Sequence, residues 1–153
     1  MESTPFTSFM QDALAEARAA AARGEVPVGA VVVRAGQIIG RGGNVTRAQC
    51  DPSAHAEIIA IRAACAHLGT DRLGGCDLYV TLEPCAMCAG AIAHARIARV
   101  YFGAADPKSG GVLHGARVFD HAQSHHVPEV YDGINAAACA ALLRGFFEDK
   151  RGG

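Results

Sequence analysis

Two separated patches constrain this chain more than any other feature: His55-Ala56-Glu57 and Pro84-Cys85-Ala86-Met87-Cys88. One imidazole and two thiols make three candidate metal ligands, so any fold that uses them must bring the two patches together. The two residues between Cys85 and Cys88 let both sulfurs turn toward a single ion at roughly 2.3 Å. Three protein ligands leave a fourth zinc position open to water, which is the layout of a catalytic rather than a structural zinc. Glu57 follows His55 by two residues, so it need not point at the metal and is better placed to touch the water there. Zinc lowers the pKa of such a water to about 7. A carboxylate beside it can take the proton and return it to a ring nitrogen and a leaving amine. Taken alone, a C-x-x-C pair also reads as a redox motif, and a first-turn glutamate as a partner of the helix dipole. The two patches together favour the metal site.

The rest of the chain reads as a frame for these patches. Residues 8–23 carry Met10, Leu14 and Ala17 at helical spacing, and Gly24 stops the helix. Val28 to Val33 is too short and too valine-rich for a helix and predicts a buried strand. Ala35-Gly36 turns it into a second strand, Gln37 to Arg41. Ser53 stands where an N-cap would, predicting a helix over Ala54 to Leu68 with His55 and Glu57 in its first turn. Asp77 to Leu82 reads as a strand, Pro84 as the start of a helix reaching His94, and Arg99 to Gly103 as a further strand. A glycine-rich loop follows to Gly115, then a last strand over Val127 to Tyr131 and a last helix over Asn135 to Asp149. The order α-β-β-α-β-α-β-β-α predicts an α/β fold: a three-layer α/β/α sandwich around a mixed five-stranded sheet. Both patches then fall at helix starts beside a sheet edge, where open α/β sheets bind their ligands. The positive helix end there also favours thiolate over thiol.

The chain's 153 residues suit one domain with a proper core. No run approaches the ~20 apolar residues that cross a bilayer. Met1 to Met10 carries Glu2 and no basic flank, which speaks against an export signal and for the cytoplasm. In that setting Cys50, Cys65, Cys76 and Cys139 read as reduced thiols, with Cys65 and Cys139 as small core residues. Cys50 and Cys76 lie near loops as spare candidates for a ligand. The net charge of -1 gives no general attraction to polyanions, so a nucleic acid would be held by local patches and shape. His121, His125 and His126 read as a solvated loop rather than a second metal site. His67, His94 and His114 need no role, and Phe146-Phe147 reads as core rather than as a platform for stacking bases.

The H-x-E…P-C-x-x-C spacing is the signature of zinc-dependent nucleobase deaminases. The chain resembles the bacterial tRNA-specific adenosine deaminases, members of the cytidine-deaminase-like superfamily. The likeness rests on residues 25–30 (Glu-Val-Pro-Val-Gly-Ala), Asn44, residues 51–57, residues 79–91, Phe102-Gly103-Ala104, the Asp106-Pro107-Lys108 loop and residues 142–147. It implies a cytidine-deaminase-like domain over residues 1–153, with one Zn2+ per chain on His55, Cys85 and Cys88, and Glu57 as proton shuttle. It further implies that Asn44 hydrogen-bonds a flipped purine, that Val28 and the Ala56 and Pro84 backbones shape its pocket, and that Asp106 and Lys108 face the RNA. A homodimer converting the wobble adenosine of a tRNA anticodon loop to inosine is the activity it suggests. Extracting an unpaired base is also the physically expected way to read an RNA loop. Asn44-Val45-Thr46 and residues 63–69 resemble bacterial guanine deaminases instead, so a small-molecule purine or nucleoside deaminase is the alternative. A zinc-stabilised nucleic-acid-binding module would require a fourth protein ligand.

Overall fold

The computed structural model describes residues 6–152, with side chains through residue 149. Residues 1–5, part of the stretch read above for an export signal, lie outside it. The valine run forms the centre of the sheet as Gly29–Arg34 (β1), and a turn at Ala35 and Gly36, both at positive φ, returns it as Gln37–Gly43 (β2). Positive φ at both central residues gives a turn whose twist matches that of the flanking strands. Asp77–Leu82 (β3), Arg99–Ala104 (β4) and the short Glu129–Tyr131 (β5) complete a sheet in the order β2-β1-β3-β4-β5. β2 and β3 run antiparallel to β1, while β4 is parallel to β3 and β5 to β4. This is the mixed five-stranded sheet expected from the sequence.

Helices cover both faces. Ala56–Leu68 (α2) and Ala86–Ala95 (α3) lie over the face built from Ala30, Val32, Leu78, Val80, Val100 and Phe102. Met10–Ala22 (α1) and Ala136–Gly152 (α4) cover the other, where Met10, Leu14 and Cys139 pack on Val31, Val33, Tyr79 and Tyr101. Alternate residues of each strand thus serve opposite cores, which is why the strands read as unbroken apolar runs. Gly40 lets β2 and α2 touch, since a Cβ there would strike the carbonyl of Ala60.

The two helices that carry the patches start later than expected. Ser53 does not cap α2: its N–H and hydroxyl both bond Asp51 Oδ1, at 2.9 and 2.7 Å, closing a local turn. The N-cap is His55, one residue before the first turn. Pro84 likewise precedes α3, whose N-cap is Cys85. Neither His55 nor Cys85 spends its side chain on capping. β5 is shorter than expected, and a single 3-10 turn, Val118–Asp120, interrupts the long loop after β4. Among the described residues no helix is long and apolar enough to cross a membrane.

Candidate active site

The register of the sheet brings the two patches together. Gly43 at the end of β2 pairs with Gly29 at the start of β1, Ala30 pairs with Val80 near the end of β3, and Leu82 pairs with Ala104 at the end of β4. The loop into α2 and the turn into α3 therefore leave the same end of the sheet. His55 Nδ1 lies 3.7 Å from Cys85 Sγ and 3.5 Å from Cys88 Sγ. The three ligand atoms lie within 4.8 Å of one another and are the one such group of three among the described residues.

These distances test the fit to a metal. Tetrahedral zinc with one nitrogen and two sulfur ligands requires N···S separations of roughly 3.6 Å. The donor set and its spacing fit zinc, and His55 offers Nδ1 to the site. Cys85 is pulled down to about 4 by hydrogen bonds from Cys88 and His55, while Cys88 is pushed up by bonding to Cys85 and by burial.

Glu57 is 4% exposed. Burial pushes its carboxyl up to about 7, and it is close enough to Cys85, His55 and Cys88 for each to act on its charge. A buried acid beside three ligands is suited to exchanging a proton rather than to closing the metal's coordination.

A cavity of about 310 Å³ opens onto the cluster, within the size range of small-molecule sites. Its lining includes Val28, Asn44, Ala56, Glu57, His55 and Cys85, so most of the residues singled out from sequence converge there. Asn44 is nearly buried, with its backbone N–H on the Val28 carbonyl at 3.1 Å. Asp106 also lines the cavity, whereas the exposed Lys108 and the buried Pro84 are not part of its lining. Thr46 and Ser109 line it too, without having drawn notice in the sequence.

The remaining expectations fare unevenly. Cys139 is buried and Cys65 packs against the core, while Cys50 is exposed and Cys76 buried away from the cluster; all six cysteines are free. None of the three loop histidines is merely solvated: the His125 ring lies 5.2 Å from that of His94, centroid to centroid. His121 Nε2 lies 2.6 Å from the Ala116 carbonyl oxygen and His126 Nε2 lies 2.7 Å from that of Ile97. Phe146 is half-buried against an exposed Phe147, so the pair is not core. His114 does have a partner, its Nδ1 being 2.8 Å from Glu83 Oε1.

Two buried carboxylates escaped the sequence reading, and each holds a loop beside the cavity. Glu25 accepts the N–H groups of Arg47 and Ala48 at 3.1 and 2.9 Å. Glu83 accepts from the loop after β4, and although burial would raise its pKa, those hydrogen bonds hold it below the usual carboxylate range. Their partners are mainly backbone N–H groups, which leave no mark in a sequence.

A His/Cys/Cys cluster with a buried acid in place of a fourth ligand, at one end of an α/β/α sandwich, defines a zinc-dependent hydrolytic deaminase. Residues 4–104 match the cytidine and deoxycytidylate deaminase zinc-binding region. Over 145 residues the chain is 56% identical to the tRNA-specific adenosine deaminase of Agrobacterium fabrum, covering 95% of each. The chain belongs to the tRNA-specific adenosine deaminases within that zinc-binding deaminase family. A solved structure from a study of A-to-I editing by tRNA:A34 deaminases at the wobble position of transfer RNA superimposes with a TM-score of 0.87. It is 56% identical, and the match covers 88% of this chain and 98% of that one. A guanine deaminase structure from Nitrosomonas europaea shares the fold at a TM-score of 0.78 but only 26% identity, over 90% of this chain and 81% of that one.

Proposed function

We propose that this protein converts adenosine to inosine at the wobble position of a tRNA anticodon loop, releasing ammonia. The observation that carries this reading is the 56% identity to a tRNA-specific adenosine deaminase over nearly the full length of both chains, against 26% to the guanine deaminase. The site chemistry is common to both, so the likeness beyond the site decides between them.

His55, Cys85 and Cys88 would hold one zinc ion per chain, which supplies the positive charge that makes a water acidic enough to be used at neutral pH. Glu57 takes the proton from the attacking water and delivers it to the purine ring nitrogen. It then takes the remaining proton from the new C6 hydroxyl and passes it to the amino group as the C6–N bond breaks, so water and adenosine become inosine and ammonia. Asn44 hydrogen-bonds the base, and Val28 with the Ala56 and Pro84 backbones shapes its pocket. Asp106 faces the RNA beside the cavity mouth and Lys108 reaches it from outside. The net charge of -1 leaves shape and these local groups, rather than a basic surface, to hold the anticodon loop. A single domain over residues 1–153, working as a cytoplasmic homodimer, completes the reading.

The test is inosine formation by zinc-loaded protein on a wobble-adenosine anticodon stem-loop, run beside guanine, cytosine and free adenosine. Turnover of the stem-loop alone is the expected result. Deamination of guanine with the stem-loop untouched would replace this reading with that of a small-molecule purine deaminase.

A further inference from the structure

The mechanism leaves one fully buried acid beside the metal ligands unused. The Glu83 side chain is 0% exposed, one residue beyond the end of β3, with its backbone N–H on the Ala104 carbonyl at 2.9 Å. Its carboxylate gathers five hydrogen bonds from one loop. Oε1 accepts the Asp106 N–H at 3.0 Å and faces His114 Nδ1 at 2.8 Å. Oε2 accepts the N–H groups of Val112, Leu113 and His114 at 3.2, 2.9 and 3.1 Å. The loop is shaped to come this close. A Cβ on Gly110 would strike Glu83 Oε2, and one on Gly111 would strike the backbone of Ala86. The Gly111 N–H in turn donates to the Pro84 carbonyl at 2.8 Å.

What the loop carries gives this arrangement its meaning. Asp106 and Ser109 line the cavity together with Asn44 and Thr46. The Asp106 carboxylate accepts the N–H groups of Lys108 and Ser109, at 3.2 and 3.0 Å, and its carbonyl accepts that of Gly110 at 2.8 Å. The turn is thus internally fixed, and it is tied to the rest of the protein through the Glu83 carboxylate together with the single Gly111–Pro84 backbone bond.

We propose that Glu83 is a positioning residue for substrate: its carboxylate holds the 105–114 loop so that Asp106 and Ser109 form one wall of the cavity. Glu83 is among the residues lining the cavity, but its side chain is 0% exposed and its carboxylate is engaged by the loop. Only a carboxylate presents acceptors at both oxygens; an amide offers one acceptor and one donor, so an N–H must face other N–H groups whichever way it is turned. Loss of charge-assisted bonds therefore frees the loop rather than the zinc helix. The proposal rests on the deaminase reading above for its substrate, though not for the anchoring itself.

The test is Glu83→Gln in the full, zinc-loaded chain, read three ways. Amide exchange should quicken roughly tenfold or more at the N–H groups left facing the new amide N–H, Asp106 in one orientation of the side chain and Val112, Leu113 and His114 in the other. The Arg47 and Ala48 amides, held by Glu25, should be unchanged. Zinc content should match the wild type, and KM for the wobble-adenosine stem-loop should rise roughly tenfold with a smaller change in kcat. If Glu83→Gln does not fold, His114→Ala removes the one side-chain donor from the half-exposed edge and should shift KM in the same direction more weakly. Unchanged exchange and unchanged KM would overturn the proposal. So would loss of zinc and kcat at constant KM, which would make Glu83 a support of the metal helix instead. Should the wild type act on guanine and not on the stem-loop, the substrate reading fails; the exchange measurement still decides the anchoring, and KM is then read with guanine.

Discussion

Glu57 occupies the second position of α2, where the helix's positive end favours its anion while burial disfavours it, and burial wins. That balance leaves an acid whose proton can come and go near neutral pH, the property a shuttle needs. In the proposed mechanism Glu57→Ala removes the shuttle and one hydrogen-bond partner of Cys88 but none of the three metal-binding side chains, so zinc content and thermal unfolding should stay close to wild type. Turnover should fall by roughly 10²–10⁴-fold or more, measured as inosine released per enzyme. A mutant as active as its parent would strip Glu57 of this role. The grouping of His55, Cys85 and Cys88 was legible because their spacing is itself chemical information. Their exact placement was not. Ser53 looks like an N-cap in one dimension, but Asp51 two residues earlier competes for its N–H and hydroxyl and wins both. The helix start consequently moves to His55, which places a ligand at the cap and frees its ring for the sulfurs.

Among the elements, the strands were legible in type and order because valine-rich and aromatic stretches suit a sheet buried on both sides. What the pattern could not show is how closely helix and sheet approach. α2 carries Glu57 in its first turn and rests on β2 across Gly40, whose missing Cβ leaves room for the backbone of Ala60 and Ala64. Gly40→Val fills that space with backbone for a neighbour, which cannot swing aside as a side chain can. It should cost about 1–3 kcal/mol of stability and shift Glu57 relative to Cys85 and Cys88. Denaturant unfolding gives the first quantity, and a drop in kcat beyond that seen with a stabilised parent gives the second. Unaltered stability and kcat would mean that β2 bends away freely. The loops on either side of the cavity were the least legible part. Glu25 and Glu83 set them through backbone donors, and any residue type can supply a backbone N–H.

At the scale of the whole molecule, the cluster does more than chemistry. His55 starts α2 and Cys85 and Cys88 start α3, while the two helices share the core of one sheet face. A metal bound there links two segments far apart in sequence, and it binds the folded chain much better than an unfolded one in which those segments separate. Free zinc at about a thousand times its dissociation constant adds about 4.1 kcal/mol to stability. For a chain of this length each kcal/mol moves the melting temperature by roughly 2–4 °C, so chelation should lower Tm by about 8–16 °C. Re-addition of zinc should restore it. Cys88→Ala should sit near the chelated value and respond to neither chelator nor zinc, because the site then lacks a buried sulfur that no neighbour can replace. A parent whose Tm ignores the chelator, although its zinc has gone, would show that the sandwich alone holds α2 and α3 in register. In that case the ion would contribute to the reaction and nothing to the fold.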